Sequence, residues 1–273
     1  MASTQEASLT EPVEIERNTT GSRSAIRASG VSHGFADLSV LDGIELEVAE
    51  GEVAGLVGPS GCGKSTFLEL VSGLAEPRAG SIEVEGTGDP AGRLKSCAYM
   101  PQRDLLFPWL SALDNAALAP RNRGASARTS REEALPLFAR FGLAEFADAM
   151  PGELSGGMRQ RVAFLRTLLA GKPVLLLDEP FAALDAITRG EMQEWLAGAL
   201  LAEPRTVLLV THDVEEALYL CDRVAVLSAR PARVVTELSP KAPRSLDRAG
   251  AVTDPGFGSL REEALRALRE HSR

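Results

Sequence analysis

The chain has 273 residues, 44% of them hydrophobic, which suits one large globular domain, or a domain with an inserted lobe, and a proper core. Its formal charge of −9 argues against nucleic acid as the main partner, because phosphate backbones select a basic face. Three scattered cysteines (Cys62, Cys97 and Cys221) are too few for a disulfide framework or a zinc site, and the longest uncharged apolar stretch, Trp195 to Ala202, is far short of the roughly 20 residues that a membrane-spanning helix needs.

Residues 1–24 are polar, dominated by Ser, Thr and Glu, and are expected to form a disordered lead-in with neither the basic start nor the apolar core of a secretory signal. Strands are expected near 25–31 and 43–49, the second alternating as I-E-L-E-V. A third, E-V-A-G-L-V, runs into a glycine-rich turn and an apolar helix from Ser65 to Gly73, the order that opens a phosphate-binding α/β core. Residues 103–160 are Ala-rich, lack β-branched runs and are expected to form an inserted helical lobe. Within it Ser130 and Glu133 have capping-box spacing, and Pro136 predicts a kink or a later helix start. The core resumes after Pro173 with V-L-L-L-D and after Thr206 with V-L-L-V-T-H-D, continuous apolar runs as buried parallel strands require. A hairpin-like pair is expected near 223–238, a loop over 239–258 and a short amphipathic helix over 259–270, capped by Ser259 and Glu262.

Residues 58–66 read Gly58-Pro59-Ser60-Gly61-Cys62-Gly63-Lys64-Ser65-Thr66, which satisfies G-x-x-x-x-G-K-[ST]. Glycines let the backbone fold into a nest of N–H groups aimed at phosphate oxygens, and the following helix adds its positive N-terminal end. Lys64 supplies a full charge to the β- and γ-phosphates of a nucleotide, and the Ser65 hydroxyl is placed to ligate Mg2+. V-L-L-L-D-E-P at 174–180 sets Asp178 and Glu179 at the C-terminal end of a strand, where open α/β sheets bind ligands. Asp178 can hold magnesium directly or through water, and Glu179 can polarise an attacking water.

The segment L-S-G-G-M-R-Q-R at 154–161 resembles the signature of ABC ATPases. Its chemistry is readable without the family: Ser155 can cap a helix, while Gly156 and Gly157 leave that helix end bare for a phosphate. Other motifs of the family follow in the expected order across 25–235. Phe35 is similar to the aromatic that stacks on adenine, Gln102 in Y-M-P-Q to the glutamine that touches magnesium and links to the membrane partner. Asp185 in A-L-D resembles the D-loop, and His212 in V-T-H-D the switch histidine at the γ-phosphate. Met158 stands where many relatives have glutamine, with Ser155 and the glycines undisturbed.

The resemblance implies a P-loop NTPase (RecA-like) α/β core, with an N-terminal antiparallel β subdomain and the helical subdomain at about 103–160. The ATPase domain would span 25–238, and 239–273 would be a short extension with a terminal helix. Lys64, Glu179 and His212 would be catalytic. It further implies that the signature faces the phosphate loop of another copy, so two subunits about a twofold axis sandwich two ATP molecules.

The run after Gln102, Q-R-D-L-L-F-P-W-L-S-A-L-D-N, is similar to the nitrate, sulfonate and taurine importer branch, which also serves thiamine-pyrimidine precursors. That branch implies integral-membrane permease partners, a periplasmic or lipid-anchored solute-binding protein acting indirectly, and a peripheral position on the cytoplasmic face of the membrane. Soluble ABC ATPases and exporters are the alternatives. The former usually carry two cassettes or a long coiled-coil insertion, which this chain lacks, and the Gln102 loop with V-E-E-A-L after His212 resembles importers better. Leu105, Leu106, Phe107, Pro108 and Trp109, five apolar residues in succession, do not fit one helical face and are expected to form a groove for a short permease helix.

Overall fold

The computed structural model describes residues 23–271. Along the chain it runs β1 (Ser24–Phe35), β2 (Leu38–Ala49), β3 (Val53–Val57), α1 (Lys64–Ser72), β4 (Ala79–Val84), α2 (Pro90–Ser96) and β5 (Cys97–Met100). Four helices follow, α3 (Ala112–Ala116), α4 (Leu118–Asn122), α5 (Ala127–Arg140) and α6 (Gly156–Leu168). Then come β6 (Val174–Asp178), α7 (Ala186–Ala202), β7 (Thr206–Thr211), α8 (Val214–Leu220), β8 (Arg223–Leu227), β9 (Val234–Leu238), α9 (Arg248–Thr253) and α10 (Pro255–Glu270). The expected tail falls outside the described residues except for Arg23 and Ser24, and Ser24 already belongs to β1.

Two sheets form. β2, β1 and β4 make an antiparallel sheet with β1 in the middle, and β5-β6-β7-β3-β8-β9 make a second sheet that is parallel except for its edge strand β9. Both faces of the parallel sheet are covered, which is why its strands read as unbroken apolar runs. Alternation still sorts the side chains. Leu175, Leu177, Val207 and Leu209 pack towards the helical side with Phe164, Leu196 and Ala217. Val174, Leu176, Leu208 and Val210 pack the other way against Phe67 and Leu68 of α1 and Ile26 and Leu41 of the antiparallel sheet. The strands expected near 25–31 and 43–49 are both longer, joined by a turn at Ala36, and the expected 223–238 pair is the β8–β9 hairpin.

Three local expectations fail. The helix expected to start at Ser130 begins a turn earlier: Ser126 is the cap, accepting from Thr129 N, and Ser130 is fully buried inside α5 with its hydroxyl donating to Ser126 O. That start puts Ser130, Ala134 and Phe138, spaced by four, on the buried face. Nor does Pro136 bring a later helix start, since it lies inside α5. It is exposed, and so is Glu132, the residue whose carbonyl loses its usual helical partner to the proline. Nor is 239–258 all loop, since α9 lies within it and α10 starts at Pro255 behind the Asp254 cap, Ser259 being an interior residue that donates to Pro255 O.

The helical region presents the 104–110 loop on polar clamps. Fully buried Asn115 accepts from Phe107 N at 2.7 Å and donates to the carbonyls of Phe107, Leu110 and Ser111 at 3.0–3.1 Å. From α6, Arg166 donates to the carbonyls of Asp104 and Leu105, and Arg159 to the Asp104 carboxylate. Leu106 turns inward while Leu105, Phe107 and Trp109 stay exposed, with the two aromatic centroids 5.1 Å apart. Removing the clamp in Asn115→Ala should cost about 2–3 kcal/mol of stability, because several backbone groups lose their partner at once. Urea unfolding should register that loss, and chymotrypsin should cut after Trp109 faster than in the parent chain.

At the other end, the C-terminal segment is fastened to α7 and α8. Tyr219 donates to Ser245 O, Arg244 pairs with Asp222, Arg248 bonds Gln193 and Arg261 bonds Glu215. Between these helices lies Glu216, whose Oε2 is 3.5 Å from Gln193 Nε2. Burial pushes its carboxyl up to about 8 from the ordinary 4.5, helped by Asp213 and opposed by Thr211, Gln193 and Arg189. A carboxyl raised on folding contributes stability that is complete below about pH 4.5 and is lost as pH rises through about 8. Glu216→Gln is neutral throughout, so its thermal midpoint relative to the parent should climb between pH 5 and 8 and then level off. Parallel midpoint curves would contradict a neutral Glu216.

Candidate active site

The loop after β3 leads straight into α1, whose N-cap Gly63 has φ +121° and forms no side-chain cap. The first N–H groups of that helix therefore remain open to an anion. A side chain at Gly63 is excluded twice over, by that φ and because a Cβ would lie 2.6 Å from Val40 Cγ1. Lys64 is almost wholly buried. Its ammonium donates to the carbonyls of Gly58 and Pro59 at 3.0 and 3.1 Å and lies 3.4 Å from Glu179 Oε1.

Parallel pairing brings the other groups alongside. β3 pairs with β7 so that Val57 matches Thr211, and β6 pairs with β7 so that Asp178 matches Val210. Loops leaving these three strands emerge side by side. Glu179 sits at φ +43°, left-handed backbone that costs a non-glycine residue about 1–3 kcal/mol, held by its N–H to Val210 O and its carbonyl accepting from Ala182 N. In that conformation its second oxygen lies 2.9 Å from His212 Nδ1, an approach a carboxylate, acceptor only, makes to the Nδ1–H tautomer. Glu179 thus spans an ammonium and an imidazole.

Asp178 accepts from Ser65 Oγ at 3.0 Å on one oxygen and from Tyr99 Oη at 2.8 Å on the other. Burial raises its carboxyl above the usual range, with the two hydroxyl donors pulling the opposite way. Tyr99 was not among the expected site residues. Its chain position, three residues before Gln102 on the strand beside β6, is the signal that could have found it. The donor set suits a magnesium ion: one hydroxyl and one carboxylate, all hard oxygens, with no group of three or more His, Cys, Asp or Glu among the described residues able to form a dedicated cage. Magnesium favours such sparse protein ligation, completed by water and substrate phosphates.

Phe35, Gln102, Ser155 and Asp185 lie on other elements, and among the described residues no hydrogen bond or ion pair joins them to this cluster. Phe35 ends β1 as an exposed residue, its ring nearly perpendicular to that of His33. Gln102 is exposed just beyond β5. Ser155 caps α6 by accepting from Met158 N, and Asp185 caps α7 by accepting from Ile187 N and Thr188 N. These two helix starts are packed together: a Cβ on Gly157 would sit 3.1 Å from Thr188 Cγ2, and one on Gly156 3.3 Å from Leu184 Cδ2. Small residues there allow the contact.

Comparison with known proteins agrees with this architecture. The ABC transporter family profile matches residues 41–182. The chain is 51% identical over 199 residues to the aliphatic sulfonates import ATP-binding protein SsuB 1 of Rhodococcus jostii, covering 73% of this chain and 77% of that one. It is 44% identical over 229 residues to the taurine import ATP-binding protein TauB of Chromobacterium violaceum, covering 82% and 87%. Among solved structures it is similar to the ATP-binding cassette MJ0796, a dimer in a post-hydrolysis state bound to ADP and Pi, with TM-score 0.68 at 29% identity over 80% of this chain and 99% of that one. A phosphate loop held against an acidic strand end, in a chain this similar to ATP-binding cassettes along most of its length, has one explanation: the chain belongs to the ABC transporter family and is an ATP-binding subunit that hydrolyses ATP.

Proposed function

We propose that this chain energises an importer for a small anionic solute of the sulfonate or taurine type, working as two copies beneath integral-membrane permease subunits on the cytoplasmic face. The observation that carries this reading is the cluster of Lys64, Ser65, Asp178, Glu179 and His212 at the C-terminal ends of β3, β6 and β7, in a chain 51% identical over 199 residues to a sulfonate importer's ATP-binding protein. The solute is read by the permease and an associated solute-binding protein, and a thiamine-pyrimidine precursor is the second cargo class of the same branch. No helix among the described residues is long and apolar enough to cross a membrane.

The chain's own groups supply the chemistry. The 58–66 loop and the open start of α1 receive the phosphates of ATP, and Lys64 exchanges its backbone carbonyls for phosphate oxygens. Ser65 and Asp178, with Gln102 from the neighbouring loop, would hold magnesium, which would neutralise charge on the phosphates. Glu179 accepts a proton from the attacking water. His212, already against Glu179, holds that carboxylate in place and contacts the γ-phosphate. Phe35 stacks on adenine. Ser155, Gly156, Gly157 and Asp185 complete the nucleotide site of the second copy, so each ATP is held by two chains and its hydrolysis opens the pair.

Glu179→Gln keeps the shape of the side chain and removes the proton acceptor. It should lower ATP turnover by at least a hundredfold while the dimer persists in ATP and magnesium. Size-exclusion chromatography with bound-nucleotide analysis tests this, and a variant that stays monomeric under those conditions would count against the shared site. The exposed Leu105, Phe107 and Trp109 form the permease contact. Trp109→Ala should weaken co-purification with the permease or uncouple hydrolysis from uptake, with nucleotide affinity within about twofold of normal. Unchanged co-purification, turnover and uptake together would remove Trp109 from that contact.

A further inference from the structure

We propose that Tyr99 is a positioning residue for the divalent cation, fixing the Asp178 carboxylate from the side opposite Ser65; this rests on the reading of Ser65 and Asp178 as cation ligands. An aspartate on a strand end retains rotation about its terminal torsion. Here that freedom is removed by two donors from two separate elements. Ser65 of α1 donates to Oδ1 at 3.0 Å and Tyr99 of β5 donates to Oδ2 at 2.8 Å. The strand beneath is itself fixed, because Tyr99 pairs with Leu176 in the β5–β6 ladder and its ring packs against the core below. Tyrosine suits this position: the ring anchors in apolar surroundings and the hydroxyl reaches a polar partner.

The two donors are not equivalent. A hydroxyl that donates its proton to a carboxylate keeps its own lone pairs, so Ser65 can still ligate a cation while bonded to Asp178. The same is true of the carboxylate, which has about four lone-pair sites and uses two here. Tyr99 approaches the oxygen away from Ser65 and acts through Asp178, as an outer partner orients a metal ligand. Its loss leaves the ligands in place and the carboxylate unaimed.

Tyr99→Phe removes only the hydroxyl and keeps the ring in the core. With the full-length chain and ADP, Mn2+ affinity followed by electron paramagnetic resonance should fall roughly tenfold, the lower end of the loss seen when an outer partner of a metal ligand is removed. ADP affinity measured in EDTA should stay at the parent value, and half-maximal ATP turnover should need correspondingly more Mg2+. Asp178→Asn is measured alongside. If Asp178→Asn weakens Mn2+ binding and Tyr99→Phe does not, the proposal for Tyr99 is overturned and the ligand reading stands. If neither variant changes Mn2+ affinity, the ligand reading itself is wrong and the proposal falls with it. Equal losses of Mn2+ binding and of ADP binding in EDTA would mark Tyr99 as merely structural and overturn the proposal too.

Discussion

Parallel pairing of β3, β7 and β6 sets the geometry on which the rest of the molecule depends. Val57 is level with Thr211 and Asp178 with Val210, so the phosphate loop, the acid pair and the histidine loop all leave the sheet at one end. Neighbouring strands lie about 4.8 Å apart, which places groups from three distant parts of the sequence within side-chain reach. A slip of one residue in the β6–β7 register would turn Asp178 to the other face of the sheet and strand the hydroxyls of Ser65 and Tyr99. Burial of both faces is what makes the register firm, since all residues of β3, β6 and β7 are buried.

Charge at the sheet edge is arranged around a cation that has little water. Lys64 is 4% exposed, and an ammonium so placed needs close acceptors. It has two loop carbonyls and one oxygen of Glu179, while the other oxygen of Glu179 meets His212. An incoming polyphosphate competes for this same ammonium. Drawing Lys64 towards phosphate weakens its hold on Glu179 and leaves that carboxylate steered by His212 and by its own left-handed backbone. With Glu179 as the proposed proton acceptor, substrate arrival and its release from Lys64 would be one electrostatic event. Asp178, one residue earlier, is kept apart because its oxygens point to hydroxyls and not to the Lys64–His212 axis.

Much of this edge was legible in the sequence because its elements are short, apolar and punctuated. The run ending in Val57 and the glycines after it dictate a strand, a nest and a helix, and the V-L-L-L-D run dictates where Asp178 emerges. Expectation failed where two local signals compete and packing decides. Both Ser126 and Ser130 can cap a helix, and only the three-dimensional fit of Phe138 and Ala134 selects the first. Asp254 followed by Pro255 is a strong start signal, yet Gly256 and Gly258 mask it in a reading by composition. Tyr99 escaped because a strand tyrosine is ordinarily packing material, and nothing in one sequence reveals that its hydroxyl reaches across to β6.

The signature helix and the apolar loop also turn out to be one mechanical unit. α6 begins at Ser155, the group proposed to meet the second copy's nucleotide, and its arginines grip the loop: Arg159 on the Asp104 carboxylate, Arg166 on the carbonyls of Asp104 and Leu105. Asn115 then holds Phe107 from the side of α3, and Trp109 stands exposed two residues on. Leu105 has left-handed backbone at φ +45°, a conformation that persists only where neighbours over-determine it, and the Arg166 contact on its carbonyl is one of those neighbours. A satisfied polar network of this kind rigidifies the segment it holds. On the proposed reading of Trp109 as the permease contact, a displacement there would reach α6 through these same arginine contacts.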